Sequence, residues 1–407
     1  MAIIVQKYGG TSVGDLDKLR YVARRIAARR DAGDSPVVCV SAMGQTTDEL
    51  IDMARQVNAA PSQRELDMLM VTGEHVSASL LAMTLQGMGY DAVALGGHQA
   101  GFRTDRAFGK ARIMNLEPER LLREVRAGKI VIVAGFHGAT DDGDTATFGR
   151  GGSDTTAVAL AAGLGARVCE IYTDVEGVLT ADPRIVPDAR KLEEISYDEM
   201  LELASYGARV MHNRAVELAA IYRVPIMVAS TFGEGPGTLI HGGPSVEQRS
   251  KVRGVAYDVD VAKVTLLGVP DRPGIAATIF EPLAAASISV DTIVQNVSHE
   301  NLTDLTFTLA RGELEQARVL LDGLVKEVGA RGLETSDSVA KVSIVGTGMQ
   351  NAPGYASRMF RALADAGINI QMISTSEIRI TCIVDNEQVT DAVRVLHEAF
   401  ALSSIPG

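Results

Sequence analysis

Through roughly residue 240 the chain alternates short apolar runs with longer amphipathic stretches, and this alternation narrows the possible folds more than any other feature. Ala2–Val5, Val37–Val40, Ala92–Leu95, Ile130–Ala134, Val168–Tyr172 and Pro225–Ala229 are short, rich in Val and Ile, and followed by glycine or polar turn residues, the pattern of buried strands. Between them, Leu16–Arg30, Glu65–Met88, Thr155–Leu164 and Tyr197–Ala204 carry helical spacing. Strand, helix, strand at this interval predicts βαβ units, hence an α/β fold with a largely parallel sheet covered on both faces. In such sheets ligands gather beyond the carboxyl ends of the strands. The residues just after each strand are therefore the first candidates for function.

The length, 407 residues, predicts two or three domains. Gly233-Glu-Gly-Pro-Gly237 and His241-Gly-Gly-Pro-Ser245 break the alternation, and a basic stretch from Arg249 to Arg253 follows. A first domain is accordingly expected over 1–245. The remainder holds an internal repeat. One copy reads Val264-Thr-Leu-Leu-Gly-Val, Pro273-Gly274, Phe280, Leu283, Ile288, Val290, Ile293, and the other Val342-Ser-Ile-Val-Gly-Thr, Pro353-Gly354, Phe360, Leu363, Ile368, Ile370, Ile373. The offset is 78 residues at the first glycine and 80 at Pro-Gly, so the second copy has the longer loop. Two modules are expected, over 262–336 and 340–407 with boundaries free to interleave, paired face to face within the chain or between chains.

Charge excludes one class of function. Thirty-nine basic against 51 acidic residues give −12, which argues against a nucleic-acid-coating protein while leaving room for a small phosphorylated ligand. The start, Met-Ala-Ile-Ile-Val-Gln-Lys, lacks the basic and long apolar regions of a secretion signal, and no run approaches a membrane span. Cys39, Cys169 and Cys382 lie far apart in strand-like runs, as expected of reduced thiols in a cytoplasmic protein. The seven histidines show no HxH or HExxH, so no metal caged by protein ligands is expected.

The first strand runs into Lys7-Tyr-Gly-Gly-Thr-Ser-Val-Gly14. Paired glycines at 9 and 10 let backbone N–H groups approach an anion at the start of the next helix, and Lys7 adds a compact charge. The loop is neither GxxxxGK[ST] nor GxGxxG, and an ordinary strand–turn–helix reads the same way. Arg150-Gly-Gly-Ser-Asp154 precedes a helical stretch. Arg150 is able to grip a carboxylate through two parallel N–H bonds, and Asp154 reads equally as a helix cap. Glu74 reads from its surroundings as a solvated helix residue. Ser41 and Thr47 follow the second strand, where hydroxyls serve as ligands or as caps, and Asp182-Pro183 is a turn signal.

The hexapeptide Lys7–Ser12 resembles the N-terminal signature of the aspartate kinases, within the wider amino-acid kinase family. Similar blocks follow in order: Val40-Ser-Ala-Met-Gly-Gln-Thr-Thr-Asp-Glu-Leu50, Val71-Thr-Gly-Glu-His-Val76, Phe148-Gly-Arg-Gly-Gly-Ser-Asp-Thr-Thr156 and Tyr172-Thr-Asp-Val-Glu-Gly-Val-Leu-Thr-Ala-Asp-Pro-Arg184. The repeat, including Ile373-Ser-Thr-Ser-Glu-Ile-Arg379, resembles two ferredoxin-like α+β ACT modules. The resemblance implies transfer of the ATP γ-phosphoryl group to the β-carboxylate of L-aspartate, the first step towards lysine, threonine and methionine. A carboxylate with a pKa near 4 is already ionised at neutral pH, so cations and N–H donors are needed rather than a base.

Carried over residue by residue, the resemblance makes Lys7 the phosphoryl-stabilising cation, Gly9 and Gly10 phosphate donors, and Asp154 the organiser of Lys7. It assigns Ser41, Thr47, Glu74, Arg150 and Gly151 to aspartate. Ser153, Thr173, Asp174, Thr180, Asp182, Arg184 and Arg209 go to ATP, with Mg²⁺ held mainly by phosphates and water. Asp271, Gly274, Ala276, Asp291, Gln295, Asn369 and Glu377 become effector positions for lysine, threonine or both. A homo-oligomer through the ACT modules, with or without a separate regulatory subunit, is implied too. The sequence departs from the family at Arg209, where lysine is usual, and at His75 and His137, where glutamine is expected. Asp291 and Gln295 become Gln371 and Thr375 in the second copy, so the two modules are not expected to be equivalent.

Overall fold

The computed structural model describes residues 2–205, 210–233, 235–243, 252–296, 301–349 and 352–404. The chain forms two compact units. The first runs to Leu179 and resumes at Lys191; the second holds Thr180–Arg190 and the chain beyond residue 250.

In the first unit the strands are β1 (Ile3–Tyr8), β2 (Ser35–Val40), β3 (Ala92–Leu95), β4 (Phe102–Thr104), β5 (Ile113–Leu116), β6 (Ile130–Ala134), β7 (His137–Ala139), β8 (Thr145–Thr147), β9 (Cys169–Thr173), β10 (Glu194–Ser196), β11 (Ile226–Ser230) and β12 (Thr238–His241). The helices are α1 (Leu16–Asp31), α2 (Thr46–Val57), α3 (Gln63–Gly87), α4 (Glu119–Arg126), α5 (Gly152–Leu164), α6 (Tyr197–Ser205) and α7 (Asn213–Tyr222). The main sheet runs β10-β12-β11-β9-β1-β2-β6-β3, parallel from β11 to β3, with β12 antiparallel to β11. This is the largely parallel α/β sheet expected from the alternation. β1 lies near its middle, Val5 level with Val37 on one side and Cys169 on the other. β2 and β6 are buried along their whole lengths, which explains their unbroken apolar runs.

A smaller sheet, β5-β4-β7-β8, was not legible in the sequence, because strands of three or four residues are too short to show a period. Among the described residues α3 is long and apolar enough to cross a bilayer, yet half of that stretch is buried inside the unit, as in the core helix of a globular domain. Its inward face carries Asp67, Met70, Val71, Glu74, Ala78 and Leu81 at helical spacing.

In the second unit, β13 (Gly254–Pro270), α8 (Ile275–Ala285), β14 (Val290–Gln295), β15 (Leu302–Leu309), α9 (Leu314–Val328), β16 (Gly332–Val345), α10 (Tyr355–Asp365), β17 (Met372–Thr375), β18 (Arg379–Asp385) and α11 (Val389–Ala399) build one sheet, β14-β15-β13-β16-β18-β17. The two copies interleave. Lys263–Leu267 of β13 pair with the first half of β16, whereas Gly254–Asp258 pair with its second half, which then pairs with β18. The second copy thus takes an edge strand from residues that precede the first. Each copy keeps its own core, Val264, Leu266, Phe307 and Leu321 in one and Val342, Ile344, Leu363 and Leu396 in the other. Ala181, Ile185 and Val186 of the Thr180–Arg190 excursion join the second core.

Asp67 ties the start of α3, the loop holding Gly109 and strand β8 together. Fully buried, it accepts from Gln63 Nε2 at 3.0 Å, Gly109 N at 2.8 Å, Thr147 N at 2.8 Å and Thr147 Oγ1 at 2.9 Å. Asp67→Ala strands these donors and is expected to destabilise the first unit by about 3 kcal/mol, read as a lower urea midpoint of that unit's transition.

Candidate active site

Lys7 stands one residue before the end of β1, level with Cys39 of β2 and Ile171 of β9. Both neighbouring strands hold its backbone, so its ammonium emerges at the carboxyl edge of the sheet, where the parallel topology directs ligands. There it meets Asp154: Nζ and Oδ1 are 2.7 Å apart, with 11% and 12% of the two side chains exposed. The sequence placed Asp154 at a possible helix cap, whereas the helix starts earlier. Gly151 is the N-cap, left-handed at φ 68°, and Asp154 lies inside the first turn, where a carboxylate also meets the positive end of the helix dipole. A side chain at Gly151 would collide with His212 Cβ at 2.2 Å, so glycine is required twice over.

The Gly9-Gly10 turn abuts the turn after β2. A Cβ on Gly10 would lie 2.8 Å from Ala42 O, and Gly44 N–H donates to Gly10 O at 3.1 Å. A Cβ on Gly9 would lie 3.5 Å from Lys7 Nζ, so the missing side chain leaves the ammonium open on that side. Ser41 Oγ donates to Ser153 Oγ at 2.9 Å, joining the turn after β2 to the start of α5. Cys39 is buried between these elements; burial pushes its thiol pKa up and keeps it protonated.

Glu74 approaches from α3. Gly73 allows it: a Cβ there would come within 2.8 Å of Ala42 Cβ. Glu74 Oε1 accepts from Ala42 N–H at 3.1 Å, while Oε2 is buried with no hydrogen-bond partner among the described residues. Burial raises its pKa to about 7, against the smaller opposing effect of its backbone hydrogen bonds. Thr47 is half-buried in the first turn of α2, and Arg150 is exposed beside Gly151.

Lys7, Gly9, Gly10, Ser41, Glu74, Ser153 and Asp154 are therefore brought together from the end of β1, the two adjacent turns after β1 and β2, and the helices α3 and α5. Thr173 ends β9, its hydroxyl donating to the exposed Asp174 at 2.9 Å. Thr180, Asp182 and Arg184 fall in the second unit instead. Thr180 Oγ1 is 2.9 Å from His397 Nε2, and Asp182 is gripped by Arg184 and receives the Tyr257 hydroxyl at 3.0 Å. Arg209 lies outside the described residues.

Of the effector candidates, Asp271, Gly274 and Ala276 are exposed where α8 begins, Gln295 is exposed at the end of β14, and Asn369 and Glu377 are exposed on either side of β17. Asp291 is paired with the buried Lys341 of the other copy. At the matching place in the second copy, Lys263 Nζ donates to Gln371 Oε1 at 2.6 Å, and Gln371 in turn donates to Asp385 at 2.6 Å. The two copies are thus built on the same cross-copy lysine contact with a carboxylate on one side and an amide on the other.

Sequence reasoning missed Asp67 and Glu170. Glu170 accepts from Gln6 at 2.8 Å, Arg29 at 2.7 Å and the Tyr172 hydroxyl at 3.0 Å beneath the stacked Tyr8–Tyr172 pair. Asp67 had a signal, an acid in phase with the apolar face of a long helix; Glu170 had only its place inside a buried strand.

The profile of the amino acid kinase family matches residues 2–230, and ACT domain profiles match 263–321 and 342–400. The aspartate kinase Ask_LysC of Stutzerimonas stutzeri is 50% identical over 409 residues, covering 100% of this chain and 99% of its own. The aspartokinase of Geobacillus stearothermophilus is 50% identical over 403 residues, covering 99% and 98%. Among solved structures, Escherichia coli aspartokinase III in complex with aspartate and ADP superposes with a TM-score of 0.83 at 27% identity, covering 98% of this chain and 99% of that one. Its complex with lysine and aspartate gives 0.74 at 27% identity, with coverage of 98% and 99%. With the Lys7–Asp154 pair at the sheet edge and the interleaved repeat behind it in the sequence, these likenesses show that the chain belongs to the aspartate kinases of the amino acid kinase family.

Proposed function

We propose that the buried Lys7–Asp154 pair is the phosphoryl-transfer centre of this aspartate kinase. The family reaction moves the γ-phosphoryl group of ATP to the β-carboxylate of L-aspartate. A carboxylate oxygen attacks the γ-phosphorus, the bond from that phosphorus to the β,γ-bridging oxygen breaks, and 4-phospho-L-aspartate and ADP leave. The observation that carries the assignment is an ammonium held at the carboxyl edge of a parallel sheet beside two glycines. Two anions have to meet there, so the need is for positive charge and N–H donors already in place. Lys7 and the Gly9-Gly10 turn supply them, and Asp154 keeps Lys7 oriented.

Glu74, with one buried oxygen unpartnered among the described residues, suits the substrate ammonium. Ser41, Thr47, Arg150 and Gly151 complete the aspartate site, Arg150 taking the α-carboxylate in a two-point grip. Ser153, Thr173 and Asp174 face the nucleotide. Thr180, Asp182, Arg184 and Arg209 keep the nucleotide assignment that the resemblance implies. No group of three His, Cys, Asp or Glu side chains able to hold a metal occurs among the described residues. Asp154 is committed to Lys7, so Mg²⁺ would be carried on ATP phosphates and water, where it would neutralise phosphate charge. We assign lysine, threonine or both to the ACT modules as effectors; of these, lysine is a ligand named for the structural neighbour aspartokinase III. We assign the chain to the cytoplasm and to a homo-oligomer built through the ACT modules, with a separate regulatory subunit as a further component to be sought.

A hydroxylamine trap containing ATP, Mg²⁺ and L-aspartate, with glutamate and N-acetylglutamate as controls, is expected to give hydroxamate with aspartate alone. Lys7→Ala should lower that rate by about a hundredfold or more; a nearly unaffected rate excludes Lys7 from phosphoryl transfer. Glu74 is protonated below a pKa of about 7 and ionised above it, so kcat/KM for aspartate should rise with pH through that region. Glu74→Gln should abolish this rise and lower kcat/KM roughly tenfold or more. Initial rates measured with lysine, threonine and the two together should fall, and unchanged rates in all three would remove these ligands as effectors.

A further inference from the structure

The turn that follows β6 touches the elements around the candidate site on several sides, and none of its residues has a role in the assignment above. Gly135 N–H donates to Val40 O at 3.0 Å, immediately before Ser41. A side chain on Gly135 would meet Cys39 Sγ at 2.7 Å and Ser153 Cβ at 3.2 Å, so the turn is wedged between the end of β2 and the start of α5. Phe136 has φ 77°, a left-handed conformation that a bulky residue adopts only when its surroundings impose it. Its N–H donates to Thr156 Oγ1 at 2.9 Å, and its carbonyl accepts from Phe148 N at 2.8 Å. Its ring occupies the space a Cβ on Gly152 would need, 2.7 Å away.

His137 closes the turn. Nε2 accepts from Gly97 N–H at 3.0 Å, so the proton resides on Nδ1, which donates to Gly135 O at 2.9 Å. The ring is almost wholly buried, and burial lowers its pKa to about 4, so this neutral tautomer is the form present at neutral pH. Its titratable neighbours are His75, whose ring stands 5.1 Å away, and His98.

We propose that His137 is a positioning residue for phosphoryl transfer, clamping the Gly135–His137 turn so that Phe136 and Gly135 press on Gly152 and Ser153 and fix the helix turn that brings Asp154 to Lys7. The clamp reaches Asp154 only through packed backbone, so its effect belongs in kcat more than in substrate affinity. It rests on the reading of Lys7 and Asp154 as the phosphoryl-transfer pair.

The test compares His137→Leu, His137→Gln and Lys7→Ala in steady-state kinetics of the full chain, with thermal unfolding recorded for each. Folded His137→Leu is expected to lose kcat by about tenfold or more with smaller changes in KM, whereas His137→Gln, whose amide donates and accepts at similar places, should stay within about threefold of the native enzyme. Native kcat in folded His137→Leu, or equal loss in both variants, overturns the clamp. If His137→Leu does not fold, Thr156→Val, which removes the acceptor for Phe136 N–H, takes its place. A kcat drop of about tenfold then supports the proposal and an unchanged kcat overturns it. An active Lys7→Ala instead overturns the site reading on which the clamp depends.

Discussion

A buried ammonium–carboxylate pair sets the terms for the first unit. Taking both charges of Lys7 and Asp154 out of water is costly, and their attraction offsets that cost only when the geometry is held. The fold holds it from both ends. Lys7 rides on a strand with a hydrogen-bonded neighbour on either side, and Asp154 sits in the first turn of a helix whose start is fixed by a left-handed glycine. Five nearby glycines, at 10, 73, 135, 151 and 152, stand where a Cβ would strike a neighbouring atom at 2.8 Å or less. The pair is thus held in place by the close approach of backbones.

Three buried carboxylates differ in how far their surroundings satisfy them. Asp67 spends its lone pairs on loop N–H groups and a hydroxyl, and Glu170 on an arginine, an amide and a phenol. Both are structural ties. Glu74 accepts one backbone N–H and keeps a buried oxygen without a partner among the described residues, and its pKa rises accordingly. An acid left undersatisfied in this way favours a ligand that brings its own positive charge.

The second unit carries a related asymmetry. Its two copies exchange strands at β13 and β16, and each first strand sends a lysine to the start of the other copy's second strand or the residue just before it. One lysine meets Asp291 and the other Gln371, so pseudo-equivalent positions differ by a full negative charge. Duplicated modules with different charge complements are not interchangeable as binding sites, which the Asp291-to-Gln371 change already announced in the sequence.

Local pattern alone determined the parallel α/β sheet, the repeat and the strand ends and helix start around which Lys7, Ser41 and Asp154 lie, because period, glycine punctuation and strand order are properties of neighbouring residues. The roles of those residues came from a run of matching blocks spread along the whole chain. Tertiary structure alone decided that Asp67 is a tie, that Glu74 is undersatisfied, that His137 is buried and neutral between Gly97 and Gly135, and that Thr180–Arg190 joins the second core. It also decided that the second copy borrows a strand from before the first. Each of these depends on which distant backbone atoms come within hydrogen-bonding or van der Waals reach. Side-chain burial and pKa follow from that three-dimensional neighbourhood, and no window of sequence contains it.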